Sequence, residues 1–447
     1  MKYINQVLSG GILPLLLLLA GGYFTVLLGG RILRWSKKGV AAMFSGSAKS
    51  AVRALSVALG GTLGVGNIAG VATALLLGGA GAIFWMWVSA FFAMLLKYAE
   101  TVLALRTRHY DESGRAHGGA PYYITEAFGG GLGKWLAALF ALLVVACCFC
   151  LGAVLQSNAA AGAMKTAFGI PPFAVGVLFA VVSGVILLCG TRRVEDACSL
   201  LVPVVCALFV VASVAVLILR RDALPNAFSA IRMGAFCPES APSGILGFFT
   251  SRAVRYGVAR GLVSNEAGCG TAPIAHAAAD TKIPAVQGLW GICEVFVDTI
   301  LLCTLTALSI LVSGVPLTGE GIDLALSAYS AVLGDIARPV LALSVLLFAF
   351  ATVLSWSHYA NEALLFLTRR TRSRYVTVLL VAVGVLWGSV GAAELLWELT
   401  DLVIALLAII NIAALLAKRR EIREETSIFF APARKTKLKI DKSTKRC

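Results

Sequence analysis

The chain has 447 residues, of which 59% are hydrophobic and only 14% are charged. Soluble domains carry about a quarter charged residues, so this composition excludes a soluble globular protein and predicts an all-α polytopic membrane protein. The formal net charge is +15, but the basic residues cluster in short connections and in the tail. That distribution is typical of cytoplasmic loops and argues against nucleic acid as a partner.

Eleven apolar segments long enough to cross a bilayer follow one another along the chain. They lie at about 10–30, 50–77, 83–105, 134–162, 172–190, 197–219, 244–275, 286–313, 338–367, 375–391 and 394–417. Threaded alternately, they place most basic loops and the C-terminus inside and the N-terminus outside. The first segment lacks a basic leader region and a cleavage site, so it is predicted to be a retained span.

The second segment contains GGTLGVGNIAGVATALL (60–76), in which four glycines interrupt an apolar helix. Glycine costs a helix interior about 1 kcal/mol relative to alanine. In hydrocarbon, a broken helix persists only where it lines a buried or wet cavity. We therefore predict that this break is a binding site, with Gly60, Gly64 and Gly66 freeing backbone groups for a ligand. The alternative is that the glycines only allow close helix packing.

Polar groups at the break match a cation and a carboxylate. Thr62 and Asn67 offer neutral oxygens beside the freed carbonyls, which suits a dehydrated monovalent cation. The amides of Val65 and Gly66 lie where the second half-helix begins and could cap an anion.

The seventh segment contains RYGVARGLVSNEAGCGTAPIAHAAA (255–279) and is also interrupted by glycines. Ionisable side chains at membrane depth are expensive and indicate functional or pathway roles. Glu266, beside Asn265, is expected to pair with Arg255 or Arg260 in a gate or a latch. A buried ion pair without any transport role is an equal alternative. His276 is expected to be a hydrogen-bonded helix-end residue rather than a proton relay.

The two interrupted segments lie five spans apart and run in opposite directions. Paired broken helices in inverted halves are typical of secondary transporters. The predicted organisation is an extra helix and basic loop (1–49), a five-helix repeat (50–219), an extracellular connection (220–243), an inverted five-helix repeat (244–417) and a basic tail (418–447). The tail is expected to be solvated, partly disordered and near anionic lipid headgroups.

Other polar residues lie within the spans. Glu294 and Asp298 are four apart on one helical face, with no basic residue nearby in the sequence. They could bind cations, relay protons or hydrogen-bond a neighbouring helix. Gln156 is interpreted as a substrate contact, and Thr352 and Ser355 place hydroxyls on a helix expected to face the break.

Catalytic and metal-binding patterns are missing from the sequence. It contains no catalytic triad, zinc spacing or phosphate loop, so we predict neither an enzyme nor a cofactor. Without an ATP-binding domain, concentrative transport must draw on an ion gradient, which indicates a secondary carrier.

Four strings resemble the alanine or glycine:cation symporter (AGCS) family. They are GGTLGVGNIAGVATALLLGGAGAIFWMWVSAF (60–91), KYAETVLAL (97–105), RYGVARGLVSNEAGCGTAPIAHAAA (255–279) and GLWGICEVFVDTILLCTLTALSIL (288–311). The resemblance implies eleven spans in the LeuT-like, five-plus-five inverted fold of the APC superfamily, with one extra N-terminal helix. It also implies uptake of alanine, glycine or similar small neutral amino acids with Na⁺, or sometimes H⁺, across a prokaryotic cytoplasmic membrane.

The resemblance further implies residue roles. The carbonyls of Gly60 and Leu63, with hydroxyls of the ninth span, would form a sodium site, while Thr62, Asn67 and Gln156 would lie at the substrate and any second ion. The chain departs from the family where Ala351 precedes Thr352, which removes one hydroxyl, and where Ser355 replaces a small apolar residue. Alternative functions are a proton-coupled symporter of another amino acid, or a non-concentrative channel or sensor on the same fold.

Overall fold

The structure is a computed structural model that describes residues 11–34, 36–44, 48–236, 251–319, 321–391 and 394–430. Within these ranges, eight helices are long and apolar enough to cross a membrane, or nine if the bent pair Ala48–Thr62 and Val65–Gly78 is one span. The two other predicted spans are a shorter apolar helix, Pro172–Leu188, and the seventh segment. Part of that seventh segment, 244–250, lies outside the described residues.

The first half of the chain consists of helices and one small hairpin. Its elements are α1 (Leu13–Ile32), α2 (Ser36–Met43), α3 (Ala48–Thr62), α4 (Ala69–Gly78), α5 (Gly81–Arg106), β1 (His109–Tyr110), β2 (Ala116–His117), α6 (Ala120–Phe128), α7 (Gly130–Phe168), α8 (Pro172–Leu188), α9 (Thr191–Leu219) and α10 (Leu224–Ala235). The strands pair antiparallel, with His109 opposite His117.

The described residues of the second half form helices joined by turns and loops. Its elements are α11 (Arg252–Asn265), α12 (Ala272–His276), α13 (Pro284–Ser313), α14 (Gly321–Leu333), α15 (Ala337–Thr368), α16 (Ser373–Val390), α17 (Glu394–Ala417) and α18 (Arg419–Phe430). Among the described residues, three helices contain π-helical segments, Thr25–Gly29 in α1, Cys148–Leu155 in α7 and Phe296–Cys303 in α13.

The outer helices expose many apolar side chains. Val181 on α8, Val211 on α9 and Leu379 on α16 are 58%, 68% and 66% exposed. Such a surface is unstable in water and matches the hydrocarbon of a bilayer. The protein is therefore a multi-pass membrane protein.

The broken span lies at the centre of the packing. Helix α3 packs against α9, α15 and α12, while α4 packs against α11 and α14. Helix α5 packs along α11 and α13, and α7 packs along α15. This arrangement brings polar groups from α7, α11, α13 and α15 to one short stretch of backbone.

The tail, which is expected to be solvated and partly disordered, begins with an ordered helix, because Arg419–Phe430 form α18. Ile422, Thr426 and Phe430 recur every four residues and are buried. The hydroxyl of Tyr98 on α5 donates to Thr426 at 3.1 Å, and Arg106 contacts Glu421 at 3.2 Å. This helix is therefore docked on the bundle, and residues 431–447 lie outside the described residues.

Candidate functional site

The predicted break in the second span is present. Helix α3 ends at Thr62, Gly64 is extended (φ −112°, ψ −156°), and a 3₁₀ turn over Val65–Asn67 leads into α4. The two half-helices are bent by 64°. The glycine pattern therefore marks a change of helix direction.

The backbone donors around the break have left their helical acceptors. The amide of Gly64 donates to Thr62 at 2.9 Å, that of Asn67 to Gly64 at 3.3 Å, and that of Val65 to the Gln156 side chain at 3.2 Å. In a continuous helix these three amides would donate to the carbonyls of residues 60, 63 and 61. Those carbonyls are consequently available to other partners.

Two hydroxyls on α15 lie close to the end of α3. Thr352 Oγ1 is 3.4 Å from the Leu63 carbonyl oxygen, and both it and Ser355 are buried. A Cβ on Gly60 would lie 2.4 Å from Ser355 Oγ, so only glycine permits this approach. We call Gly60, Leu63, Thr352 and Ser355 the cation set.

The substrate candidates lie on the neighbouring part of the break. Gln156, on α7, is 3% exposed and accepts from the Val65 amide, so this amide is not free to cap a carboxylate. The Thr62 hydroxyl bonds to its own helix, at 3.4 Å from Ala58 O, rather than facing the break. A Cβ on Gly66 would lie 3.9 Å from the Ser264 Cα, an ordinary van der Waals contact.

Asn67 lies on the other side of the break, against α11 and α13. Its Nδ2 donates to Asp298 Oδ1 at 2.7 Å, and its Oδ1 finds no hydrogen-bond partner among the described residues. Asp298 Oδ2 also accepts from Ser264 at 2.8 Å and from Thr299 at 2.7 Å. The structure thus pairs Asp298 with the break and separates Asn67 from the α15 hydroxyls.

The break in the seventh span also exists, between Asn265 and Ala272, and Glu266 there has a left-handed backbone (φ 50°). Side chains satisfy its backbone groups: Asn265 Oδ1 accepts from the Ala267 amide, and Glu100 accepts from the Gly270 amide, both at 3.0 Å. Asn411 donates to the Gly268 carbonyl at 2.8 Å. Hydrogen bonds with Glu100 on α5 and Asn411 on α17 therefore pair the backbone of this second break, whereas carbonyls at the first break have lost their helical donors.

The expected pairing of Glu266 with Arg255 or Arg260 is wrong. Glu266 Oε2 accepts from the Thr271 hydroxyl at 2.7 Å. Arg255 stacks over Tyr256, and Arg260 lies 5.8 Å from the ring of Trp397. Both arginines are only half-buried, so their guanidinium groups avoid the desolvation that a pair with Glu266 would require.

Glu294 does have basic partners, contrary to the sequence-based expectation. Its Oε1 lies 3.1 Å from Lys97 Nζ on α5, and its Oε2 lies 2.9 Å from His276 Nε2. Lys97 and the nearby Glu100 were missed, although each is an ionisable residue inside an apolar span, which is a usable signal. His276 ends α12 and is hydrogen-bonded, as expected.

A cavity of about 720 Å³ opens on the side of the molecule that carries the basic loops. Its walls include Lys49, Arg53, Arg115 and Arg192, and we call it the vestibule. Val57 and His358 also line it, each three residues from a member of the cation set, Gly60 or Ser355. The vestibule therefore reaches to about one helical turn from that set.

The β1–β2 hairpin spans the edge of the vestibule and binds α15. His117 Nδ1 lies 2.7 Å from Glu362, and its Nε2 lies 3.1 Å from Asp111. The hydrogen bond to Glu362 raises the pKa of His117 above its ordinary value. Hydrogen bonds from Ser113 and the Arg115 amide lower the pKa of Asp111. Arg115 also pairs with Glu362.

Known proteins with similar sequences are transporters. A sodium/alanine symporter, AgcS, from Methanococcus maripaludis is 36% identical over 384 residues, covering 84% of this chain and 83% of that protein. A putative sodium/proton-dependent alanine carrier, YrbD, from Bacillus subtilis is 33% identical over 443 residues, covering 93% and 89%.

A solved structure, that of MhsT in complex with L-phenylalanine, aligns with a TM-score of 0.56 at 13% identity, covering 85% of this chain and 97% of MhsT. The likeness shows that the two share the LeuT-like helical fold. The family model described as the sodium:alanine symporter family matches residues 1–443. The chain therefore belongs to the sodium:alanine symporter family, whose members are transporters and not enzymes.

Proposed function

We propose that this protein is a secondary active transporter that carries a small neutral amino acid, alanine or glycine, into the cell together with Na⁺. The observation that carries the proposal is the set of three backbone amides, at Gly64, Val65 and Asn67, that have left their helical acceptors. Unpaired peptide carbonyls in a broken membrane helix are suited to a dehydrated cation.

The cation set supplies the ligands for Na⁺ in this proposal. Carbonyl oxygens of Gly60 and Leu63 and hydroxyl oxygens of Thr352 and Ser355 are neutral donors of the kind that hard cations accept. All four residues are buried, so an ion bound there is shielded from solvent. Na⁺ would link the broken span to α15 and stabilise the conformation that accepts the substrate.

The amino acid would bind beside the cation set, at Gly64, Val65, Gly66 and Gln156, whereas the Thr62 hydroxyl stays bonded to its own helix. The Gly66 amide, at the start of the resumed helix, would receive the substrate carboxylate. Gln156 would exchange its hydrogen bond with Val65 for one to the substrate. The choice of alanine is supported by the two similar transporters whose names specify alanine.

Asn67 and Asp298 support a second cation position. The unpartnered Asn67 Oδ1 and the Asp298 carboxylate lie together in a buried environment. A second Na⁺ would neutralise that carboxylate, and a proton could do the same. This pair is the specific observation that favours H⁺ as an alternative coupling ion.

Transport would proceed by alternating access across a prokaryotic cytoplasmic membrane. Basic loops border the vestibule, so we assign that side to the cytoplasm and the structure to an inward-open state. We infer eleven spans, with the N-terminus outside, the C-terminus inside and inverted five-helix units at 50–219 and 244–417. We assign the basic tail to the anionic lipid headgroups. Part of the second unit and most of the tail lie outside the described residues.

The proposal is tested by uptake of labelled alanine into proteoliposomes with a Na⁺ gradient or with choline. Thr352→Val should raise the half-saturating Na⁺ concentration at least tenfold. Ser357→Ala is the matched control, because Ser357 lies on the same helix and its hydroxyl donates to the Val353 carbonyl of that helix. Equal uptake in Na⁺ and choline would reject Na⁺ coupling, and a pH gradient would then test H⁺.

A further inference from the structure

Five ionisable side chains form a buried cluster beside the second break, outside the cation set. The charged cluster comprises Lys97, Glu100, Glu266, His276 and Glu294, and none is more than 3% exposed. One lysine faces three glutamates, so with His276 neutral, ionisation of the other four groups would leave two uncompensated negative charges. Each uncompensated buried ion costs several kcal/mol. The cluster is therefore built to retain exchangeable protons.

One chain of hydrogen bonds in this cluster ends on an imidazole. Lys97 Nζ donates to Glu294 Oε1 at 3.1 Å, and Glu294 Oε2 lies 2.9 Å from His276 Nε2. The carboxylate accepts, so Nε2 carries a proton. Gln287 Nε2 lies 2.8 Å from the other ring nitrogen, Nδ1. With the amide in this orientation Nδ1 accepts, and the imidazole is neutral.

The side-chain oxygen of Gln287 lacks a hydrogen bond in this orientation. Gln287 Oε1 is buried and has no hydrogen-bond partner among the described residues. Rotating the amide by half a turn would bring this oxygen to Nδ1, where it could accept from a second ring proton. The imidazole could thus take up a proton by an amide rotation alone, with Glu294 compensating the new charge.

His276 is also close to water. It ends α12, and Ala275 and Ala278, on either side of it, line the vestibule. The elements packed against α12 bring further charged or titratable groups: Arg53 from α3, Arg108 after α5, and His358 and Tyr359 from α15. A proton entering from the vestibule would therefore meet His276 after a small displacement of α12.

We propose that His276 is a proton-binding site of this carrier, positioned by Glu294 and Gln287, and that its occupancy sets the position of half-helix α12 at the vestibule. The site is distinct from the Asn67–Asp298 pair. This inference rests on the proposed function only because alanine uptake is the quantity that the test measures. It gives the carrier a response to internal pH whichever cation drives uptake.

The test measures alanine uptake into proteoliposomes at internal pH 6 and pH 8, with the external pH and the Na⁺ gradient fixed. All proteins carry His117→Gln, which removes the hairpin histidine. The parent should change its rate at least threefold between the two pH values. His276→Gln should transport at the same rate at both pH values, and that rate should equal the parent's rate at pH 8. His109→Gln, on the exposed face of the hairpin, should keep the parent's difference in rate.

Gln287→Glu provides the second test and the safeguard if His276→Gln fails to insert. A carboxylate beside Nδ1 would keep His276 protonated on both ring nitrogens. The uptake rate should then be independent of internal pH and equal to the parent's rate at pH 6. A parent without pH dependence, or a His276→Gln variant that keeps it, would overturn the inference. Loss of Na⁺ dependence alone would reject only the proposed coupling ion.

Discussion

The backbone amide of Val65 donates to the side-chain oxygen of Gln156, across 3.2 Å between α7 and the broken span. This bond replaces the helical bond that Val65 would otherwise make with Gly61, and it holds the break open from outside. A single side chain on a neighbouring helix therefore helps to create the spare carbonyls. The same side chain would change partners when substrate binds, which links substrate binding to the geometry of the cation set.

Gly64→Ala should reduce alanine uptake at least tenfold, or about 1.4 kcal/mol, while the protein still inserts. A Cβ at Gly64 would lie 2.9 Å from both Gln156 Oε1 and Thr352 Oγ1, so it would displace the groups that surround the site. Gly70→Ala is the matched control in the same span, because a Cβ there meets nothing within 4 Å. Similar uptake by the two variants would place the site elsewhere.

Asn67→Ala should abolish uptake and leave a folded protein. The substitution removes the Nδ2 donor and the unpartnered Oδ1, but Asp298 keeps its bonds from Ser264 and Thr299. Thr73→Val is the control, since the Thr73 hydroxyl donates to the Ala69 carbonyl of its own helix. The measurement is the initial uptake rate per inserted protein. Normal transport by Asn67→Ala would remove this residue from the site.

Lys97→Met should destabilise the protein strongly. It leaves Glu294 as a buried carboxylate without its lysine, and breaking a buried ion pair costs about 3–5 kcal/mol. The double variant Lys97→Met, Glu294→Gln should recover part of that loss, because the carboxylate nearest to Lys97 is removed as well. Thermal unfolding in detergent measures the effect. A double variant less stable than Lys97→Met would mean that the pair is not the source of the destabilisation.

The hairpin should make stability depend on pH. Since the bond to Glu362 raises the pKa of His117 in the folded protein, its contribution is fully present below the ordinary value of about 6.5 and is lost as pH rises through the folded-state pKa. The melting temperature should therefore fall between pH 6 and pH 9. His117→Gln should remove this part of the slope, and His109→Gln should not. An unchanged slope in His117→Gln would contradict the assignment.

The break could be predicted from sequence because its signal is local. Four glycines within seven residues of an apolar helix make a continuous helix unfavourable wherever the segment packs. The roles of Gly60 and Leu63 followed from the family resemblance, and they remain proposals. The direction that Asn67 faces could not be predicted, because it depends on how α11 and α13 pack around the break.

The charged cluster shows where sequence reasoning stops. Lys97 and Glu294 are each visible as ionisable residues in apolar spans, but 197 positions separate them. Their pairing depends on the packing of α5 against α13. The nearer arginines, Arg255 and Arg260, were the obvious partners for a glutamate and proved wrong because they remain half-exposed. Helix α18 did carry a local signal, the buried positions four apart, which the high charge of the tail obscured.

The most direct test of the cation set is to locate a bound ion. Crystals of the protein grown with alanine can be soaked in Tl⁺, a heavy monovalent cation that gives an anomalous signal. The account predicts a peak between the Leu63 carbonyl and the Thr352 hydroxyl that Na⁺ displaces and that Thr352→Val abolishes. A continuous, fully paired helix through Gly64, or a displaceable peak that lies only elsewhere in the bundle, would contradict it.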